Sequence, residues 1–202
     1  PTKVPGRPLL LLDAGANMDC HPEWLAQFAI MGNVYAKTAL GRENPKVGLM
    51  SIGAEDCKGN QLVHDTFPLI KEIKNLNFVG NIEGKDIPKG RCDVLVADGF
   101  TGNILLKTSE GLCRYLTGKV AGIFGDASAV SPDVAEKLRS FTRFFDAREY
   151  GGAPFLGLAK PVIKAHGSSN ALAFKNAIRQ AILYTESGVI YDIADAAEKS
   201  ME

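Results

Sequence analysis

A polar block near the end of the chain combines residue types that bind anions. The apolar-rich run Pro161–Ala165 leads directly into His166-Gly-Ser-Ser-Asn170, and a helical pattern follows. In an α/β sheet this order predicts a strand that ends where a helix begins. Unpaired backbone N–H groups and the helix dipole favour an anion at such a junction. The candidate residues of this block are Lys164, His166, Gly167, Ser168, Ser169 and Asn170.

A second block, Asp93–Asn103, has the same layout, because an apolar run leads into Asp-Gly-Phe-Thr-Gly-Asn. Two such junctions predict a site for a phosphate-like group. An ordinary turn with a helix cap from Thr101 or Asn103 explains this block equally well. His166 likewise suits either a hydrogen-bonded structural histidine or a catalyst. The candidates here are Asp98, Gly99, Thr101, Gly102, Asn103 and, one turn farther on, Lys107.

Further polar residues follow the other apolar runs of the chain. Ligands of parallel α/β sheets bind outside the carboxyl ends of the strands, so these residues are expected to share one edge. Glu83 and Asp98 are acids at neighbouring strand ends. Each suits a base, a metal ligand or an ion-pair partner of Lys58 or Lys164. The additional candidates are Asp13, Asn17, Lys58, Asn60, Asn81 and Glu83.

Five short apolar runs predict the strands that position these residues. They are Leu9–Leu12, Val47–Ile52, Phe78–Val79, Val94–Ala97 and Val162–Ala165. Helical patterns lie between and after them, and Tyr150–Pro154 is predicted as a break. The helices are expected at Pro22–Gly41, Leu62–Ile73, from about Asn103 with Leu112, Leu116 and Val120 on it, from Ser131 to Phe145, at Asn170–Thr185 and at Ser187–Glu202. This alternation predicts an α/β fold with a mainly parallel sheet.

Composition narrows the functional classes. The 202 residues are 46% hydrophobic, and Lys+Arg equals Asp+Glu at 23 each. This balance argues against a nucleic-acid binder, which carries a basic excess. The four cysteines lie far apart and no secretory leader is visible, so we expect free thiols, a cytoplasmic setting and no zinc site. Motifs of nucleotide binding and of serine hydrolases are absent from the sequence.

Taken in order, nine blocks of the chain resemble bacterial phosphate acyltransferases, the acyl-acyl-carrier-protein:phosphate acyltransferases of phospholipid synthesis. The resemblance runs from about Pro1 to Arg179 with similar spacing. The blocks are Asp13–Cys20, Gln27–Gly32, Gly48–Gly53, Lys58–Asn60, Phe78–Gly84, Asp98–Asn103, Lys107–Thr108, Glu149–Ala153 and Pro161–Asn170 with Asn176–Arg179 behind it.

This resemblance implies a three-layer α/β/α sandwich, similar to the isocitrate and isopropylmalate dehydrogenases. Members of the family are longer and carry an N-terminal segment that this chain lacks. Residues 1–202 are therefore expected to be the C-terminal portion of the family's α/β domain.

The implied reaction moves a fatty acyl group from the thioester of acyl-carrier protein to inorganic phosphate, without a cofactor or metal. Phosphate is already anionic near neutral pH and a thiol, with a pKa of about 8.5, leaves readily. Positioning and charge stabilisation are then the main tasks. For this reaction, Lys164 and the helix N-termini after Asp98 and Gly167 are expected to hold phosphate. A donor such as Asn103, Ser168 or Asn170 is expected to face the developing oxyanion, and His166 to assist proton movement.

A homodimer that contacts the inner face of the membrane is also implied. Val134, Leu138, Phe141 and Phe145 form an apolar stripe that suits either a packed helix or, with residues 116–124, a lipid contact. Two alternatives stay open: a phosphate acetyltransferase-like enzyme that uses coenzyme A, and a non-catalytic dimerisation or membrane-docking fragment. A metal-dependent dehydrogenase of the same fold would need a cluster of aspartates and a nucleotide-binding loop. Neither is visible in this sequence.

Overall fold

A computed structural model describes residues 8–124, 131–144, 146, 149–167 and 169–199. Four of its strands form a parallel sheet in the order β1-β4-β2-β3. These strands are β1 (Leu10–Leu12), β2 (Lys46–Ser51), β3 (Asn77–Glu83) and β4 (Val94–Val96). The central strands β4 and β2 are largely buried, which explains their continuous apolar runs. The predicted parallel sheet is therefore confirmed.

Helices cover both faces of this sheet. Within the described ranges they are α1 (Pro22–Thr38), α2 (Gln61–Glu72), α3 (Gly99–Phe124), α4 (Pro132–Phe144), α5 (Ala171–Glu186), α6 (Val189–Lys199) and a short 3-10 helix at Gly84–Lys89. On one face, Leu25 and Phe28 of α1 and Ile70 of α2 pack with buried strand residues. On the other face, Leu95 packs with Leu105 of α3 and with Ile87 of the 3-10 helix. This arrangement confirms the three-layer α/β/α fold.

The outer side of α1 carries a third apolar cluster. Tyr184 of α5 and Val189 and Ile193 of α6 are buried there, next to Met31 and Tyr35 of α1. Helices α5 and α6 therefore attach to the sheet through α1.

A β-bulge in β3 decides which way its last residues point. Val47 of β2 pairs with Phe78, whereas Leu49 pairs with Asn81, so β3 has one extra residue between these pairs. Gly80 lies in this bulge with φ of 83°, in the left-handed region that favours glycine. The extra residue reverses the alternation of faces, so that Asn81 lies on the same face as Phe78.

Two predictions about the second half of the chain were wrong. The strand near Val162 is β6 (Ile163–Ala165), and it does not join the parallel sheet. It pairs antiparallel with β5 (Gly152–Pro154), in a segment predicted to be a break. Glycine and proline are typical of turns, and a three-residue strand is too short to show alternation.

Helix α3 also differs from its prediction. It starts at Gly99 rather than near Asn103, and it continues through four further glycines to Phe124. Leu112 and Leu116, which the sequence predicts on this helix, are 55% and 48% exposed. Their spacing gave a helical pattern without saying which face would be covered.

Candidate functional site

The loop after β1 is organised by the carboxylate of Asp13. This residue is buried, and its oxygens accept the backbone N–H groups of Gly15, Ala16 and Asn17 at 2.7, 2.8 and 2.7 Å. The side-chain amide of Asn17 donates to the same carboxylate at 2.9 Å. Burial alone raises the pKa of Asp13, but these hydrogen bonds outweigh it and hold the pKa below its usual value. Asp13 therefore remains an anion that shapes its own loop.

The loop after β4 ends in a capped helix. One carboxylate oxygen of Asp98 accepts the Thr101 N–H at 2.8 Å and the other accepts the Thr101 hydroxyl at 2.7 Å. Gly102 donates its N–H to the carbonyl oxygen of Asp98 at 2.9 Å, in the first turn of α3. Asp98 is therefore the capping residue, in place of the predicted Thr101 or Asn103.

These two loops fit against each other without space for side chains. The Gly99 N–H donates to the Asn17 carbonyl oxygen at 2.8 Å, and a Cβ at Gly99 would overlap that oxygen. A Cβ at Gly102 would overlap the carbonyl oxygen of Asp13. The Asn103 amide nitrogen donates to the Ala14 carbonyl oxygen at 3.2 Å. We call Asp13–Asn17 together with Asp98–Asn103 the interlocked junction.

The start of α3 in the interlocked junction offers few unused donors. The N–H groups of Gly99, Thr101 and Gly102 already have acceptors within the protein. The Asp98 carboxylate also lies at this helix terminus, where it satisfies the positive end of the dipole itself. A phosphate at this edge of the sheet therefore needs cationic or polar side chains in addition to the helix terminus.

The loop after β2 is held from two neighbouring strands. The Ser51 hydroxyl donates to the Lys58 carbonyl oxygen at 3.0 Å. The Asn81 amide nitrogen donates to the Glu55 and Lys58 carbonyl oxygens at 2.9 and 3.3 Å. Asn81 is buried, and its Oδ1 has no hydrogen-bond partner in the described part of the chain. Asn60 ends this loop by capping α2 through the Val63 N–H.

Three charged candidates on this side of the sheet are exposed or have local partners. Lys58 is exposed, and only its backbone holds the loop. Glu83 pairs with Lys85 at 2.8 Å, and Lys107 pairs with Glu110 at 2.9 Å. Such exposed pairs contribute little to stability, so their charges are accessible to a ligand.

The junction between β6 and α5 is more open. Lys164, His166 and Gly167 are exposed, and a Cβ at Gly167 would meet nothing within 4 Å. Asn170 caps α5 by accepting the Ala173 N–H at 3.0 Å. The Ser169 N–H donates to the His166 carbonyl oxygen, while the buried Ser169 hydroxyl has no partner among the described residues. Ser168 lies outside the described residues. We call Lys164–Asn170 the exposed junction.

The structure brings the interlocked junction and the Lys58 loop to one edge of the sheet. It leaves the exposed junction apart from that edge. Residues of the interlocked junction touch one another, and the Lys58 loop follows along the same carboxyl edge because the four strands are parallel. The exposed junction packs mainly with β5 and α5, since β6 is not part of that sheet.

Sequence reasoning missed exposed apolar residues at the carboxyl edge. Ile52 follows β2 and is 81% exposed, and Phe100 and Ile104 are 61% and 51% exposed in the first turns of α3. Phe100 and Ile104 lie four residues apart, so they share a helix face. Their position directly after Asp98 was the signal that could have found them.

The described residues form neither a metal site nor a membrane-spanning helix, and the cysteines are free thiols. Among the residues that the structure describes, no group of three His, Cys, Asp or Glu side chains is placed to hold a metal ion. No described helix is both long enough and apolar enough to cross a membrane. All four cysteines are free, and burial raises the pKa of Cys92 to about 12.

Comparison with known proteins places these features in a family. Residues 1–192 match the family described as fatty acid synthesis protein. A protein of Brevibacillus brevis named phosphate acyltransferase is 46% identical over 198 residues, which are 96% of this chain and 59% of that protein. One of Clostridium acetobutylicum with the same name is 45% identical over 97% of this chain and 60% of its own length.

A third relative, the phosphate acyltransferase of Halothermothrix orenii, is 49% identical over 85% of this chain and 53% of its own length. The chain thus spans about three fifths of the length of the curated relatives it matches. The family match covers nearly all of the chain, and the resemblance found in the sequence is confirmed. The chain belongs to the fatty acid synthesis protein family, and the relatives it matches are phosphate acyltransferases.

Proposed function

We propose that this protein transfers a fatty acyl group from the thioester of acyl-carrier protein to inorganic phosphate, giving acyl phosphate for phospholipid synthesis. The observation that carries this proposal is the identity of 43 to 49% with phosphate acyltransferases over most of the chain. Residues 1–202 then form the C-terminal portion of the whole enzyme, in keeping with the three fifths of the relatives' length that they span.

The chemistry needs positioning more than strong acid or base. A phosphate oxygen attacks the thioester carbonyl carbon, a C–O bond forms, the C–S bond breaks and the thiolate leaves with the electron pair. Because phosphate is anionic and a thiol has a pKa of about 8.5, neither group needs strong activation. The enzyme gains most by holding phosphate beside the carbonyl and by stabilising the oxyanion.

Three side chains are assigned to these tasks. Lys164, which is exposed on β6, supplies the cation that holds phosphate. The amide of Asn103 uses one hydrogen for the Ala14 carbonyl, and its second hydrogen is available to the developing oxyanion. His166 assists proton movement next to Lys164. Bringing Lys164 near Asn103 requires the exposed junction to face the interlocked junction in the working enzyme.

The acyl donor and the surroundings of the enzyme are part of this proposal. We assign acyl-carrier protein as the donor and a homodimer as the working form. The enzyme contacts the cytoplasmic face of the membrane reversibly through α4, where Phe141 and Phe144 are 41% and 42% exposed. Val134 and Leu138 on that helix are half-buried, and Phe145 lies outside the described residues. Aromatic residues with nearby cations suit contact with anionic lipid.

The test is formation of acyl phosphate, trapped with hydroxylamine as an acyl hydroxamate. The assay compares acyl-carrier protein with acyl-coenzyme A as donors, for this chain alone and with the segment that completes the relatives' length. Phosphate-dependent product from acyl-carrier protein supports the proposal. Preference for the coenzyme A donor would favour a phosphate acetyltransferase-like enzyme. No product in any arm would leave a dimerisation or docking fragment as the better account.

A further inference from the structure

One face of α3 runs from the carboxyl edge of the sheet to an open groove at the far end of the helix. Phe100, Ile104 and Tyr115 lie on this face and are 61%, 51% and 61% exposed. Helical periodicity places Gly118 and Gly122 on the same side. The groove has a volume of about 630 Å³ and is lined by Arg114, Tyr115, Gly118, Lys119, Gly122 and Ile123.

No side chains project from the helix backbone beneath this groove. Where Gly118 and Gly122 would carry a Cβ, the structure places nothing within 4 Å, and the same holds for Gly111 one step closer to the sheet. Glycine weakens a helix interior by about 1 kcal/mol relative to alanine, so three glycines on one side are not favoured by the helix itself. They leave space for a ligand that lies flat along α3.

Charge is unevenly distributed along this face. Arg114 and Lys119 flank the groove, and neither forms an ion pair within the described residues. Lys119 lies 5.5 Å from the centre of the Tyr115 ring. The only acid of α3, Glu110, is already paired with Lys107. Lys107 lies between the two ends on the same side, and its charge is offset by Glu110. The exposed apolar residues Phe100 and Ile104 are therefore at the reaction edge, and the cations without an acidic partner are at the distal end.

We infer that this face of α3 receives the phosphopantetheine arm of the acyl-carrier donor, with Arg114 and Lys119 as partners of the phosphate at the base of the arm. This inference rests on the proposed function. The arm has a thioester at one end and a phosphodiester at the other. This matches a surface that is apolar at Phe100 and cationic at Arg114. Arg114 lies fourteen residues after Phe100, about 21 Å along the helix.

The acyl chain itself fits this face less well. Its methyl end would reach the cations of the groove, and desolvating a cation beside a hydrocarbon is costly. The phosphate of the arm and the acidic surface of the carrier gain from the same cations. The Leu112 and Leu116 side of α3 is a different face, so lipid contact and carrier contact need not compete.

Binding of carrier protein to the full chain tests the inference. Fluorescence anisotropy compares holo-carrier, which bears the arm, with apo-carrier, which lacks it. We expect wild type to prefer holo-carrier, and Arg114→Glu with Lys119→Glu to weaken holo-carrier binding about tenfold or more. The matched control reverses two exposed charges on α5, Lys175→Glu with Arg179→Glu, and should change the affinity less than about twofold.

A second variant tests the space rather than the charge. Gly118→Leu fills the groove and favours the helix, so it should fold well. We expect it to bind holo-carrier no better than apo-carrier. Unchanged holo-carrier affinity in both variants would overturn the inference, as would a charge reversal that abolishes binding to phosphatidylglycerol vesicles while leaving carrier binding intact.

The hydroxamate assay separates the inference from the function on which it rests. Acyl phosphate formation by wild type with unaltered carrier binding in the groove variants would overturn this inference alone. Groove-dependent carrier binding without acyl phosphate from any donor would overturn the proposed function alone.

Discussion

The interlocked junction and the exposed junction arise from the same kind of sequence but have opposite environments. In each, an apolar run leads through glycine and a small polar residue into a helix. At the interlocked junction, Gly99 and Gly102 press against the loop of Asp13, and the N–H groups are already bonded. At the exposed junction, Gly167 meets nothing and Lys164 faces solvent. In the proposed function, a rigid edge and an accessible cation are complementary parts of one acyl-transfer site.

Glycine therefore has two distinct roles in these similar motifs. At Gly102 it permits two backbones to touch, whereas at Gly167 it leaves a turn uncovered. The first role contributes to folding, and we propose that the second keeps room for a ligand. Variants that add a single Cβ separate the two roles.

The largest effect is expected for Gly102→Ala. The new Cβ would overlap the carbonyl oxygen of Asp13, a backbone atom that cannot rotate away. We expect a loss of at least about 3 kcal/mol in the free energy of unfolding. Gly167→Ala is the matched control and should stay within about 0.5 kcal/mol. Urea denaturation followed by circular dichroism measures both variants. Equal stabilities would contradict the close packing of Gly102 against the Asp13 loop.

Asp13→Asn should have the next largest effect, because it removes the charge that accepts three backbone N–H groups. We expect about 2 kcal/mol of destabilisation at neutral pH. The folded-state pKa of Asp13 lies below its ordinary value of 3.8, so the stabilisation is present above pH 3.8 and is lost as the pH falls through the folded-state pKa.

The difference between wild type and Asp13→Asn should therefore shrink below pH 3.8. Asp19→Asn, which changes an exposed acid near the same loop, is the control and should change the free energy of unfolding by less than about 0.5 kcal/mol at neutral pH. A difference that stays constant down to pH 2.5 would mean that the charge of Asp13 does not organise the loop.

A smaller effect is expected for Asn170→Ala at the exposed junction. The cap of α5 is a local bond to the Ala173 N–H, and its loss costs about 1 kcal/mol. Asn60→Ala, which removes the equivalent cap of α2, should cost a similar amount. Thermal unfolding of the two variants compares them. A much larger loss for Asn170→Ala would show that the exposed junction is packed as tightly as the interlocked one.

Thiol reactivity should give the finest comparison. Cys57 is exposed, whereas Cys20 is half-buried with its Sγ 3.3 Å from the Asn17 carbonyl oxygen, and burial raises its pKa. We expect Cys57 to react with a disulfide reagent first, Cys20 more slowly and Cys92 only on unfolding. Mass spectrometry of the labelled sites follows the order. Early labelling of Cys20 would indicate that the interlocked junction opens in solution.

The sequence predicted the elements but not all of their partners. Buried strands β2 and β4 and helices α1, α2, α5 and α6 follow from long apolar runs and clear periodicity. Helix capping by Asn60 and Asn170 can be predicted from the local sequence. The Asp98 cap was missed because Thr101 and Asn103 suit the same role. Local patterns carry this information because the interacting groups lie within one turn.

Contacts between distant segments could not be predicted in this way. Asn103 bonds to Ala14 across 89 positions, and no local pattern encodes that distance. The bulge at Gly80 changes the face of the sheet on which Asn81 lies. The antiparallel pairing of β6 depends on β5, a strand made of glycine, alanine and proline. The site roles of Lys164, His166 and Asn103 stay predictions, because they depend on substrate contacts.

The proposed role of the exposed junction is to supply the phosphate-binding cation of an acyl-transfer site. Its most direct test is the phosphate dependence of acyl phosphate formation, measured with the chain completed to the relatives' length. For Lys164→Ala we expect the KM for phosphate to rise about tenfold or more while the KM for acyl-carrier protein stays the same. Lys160→Ala, another exposed lysine just before β6, should behave as wild type. An unchanged phosphate KM in an active Lys164→Ala enzyme would contradict the account.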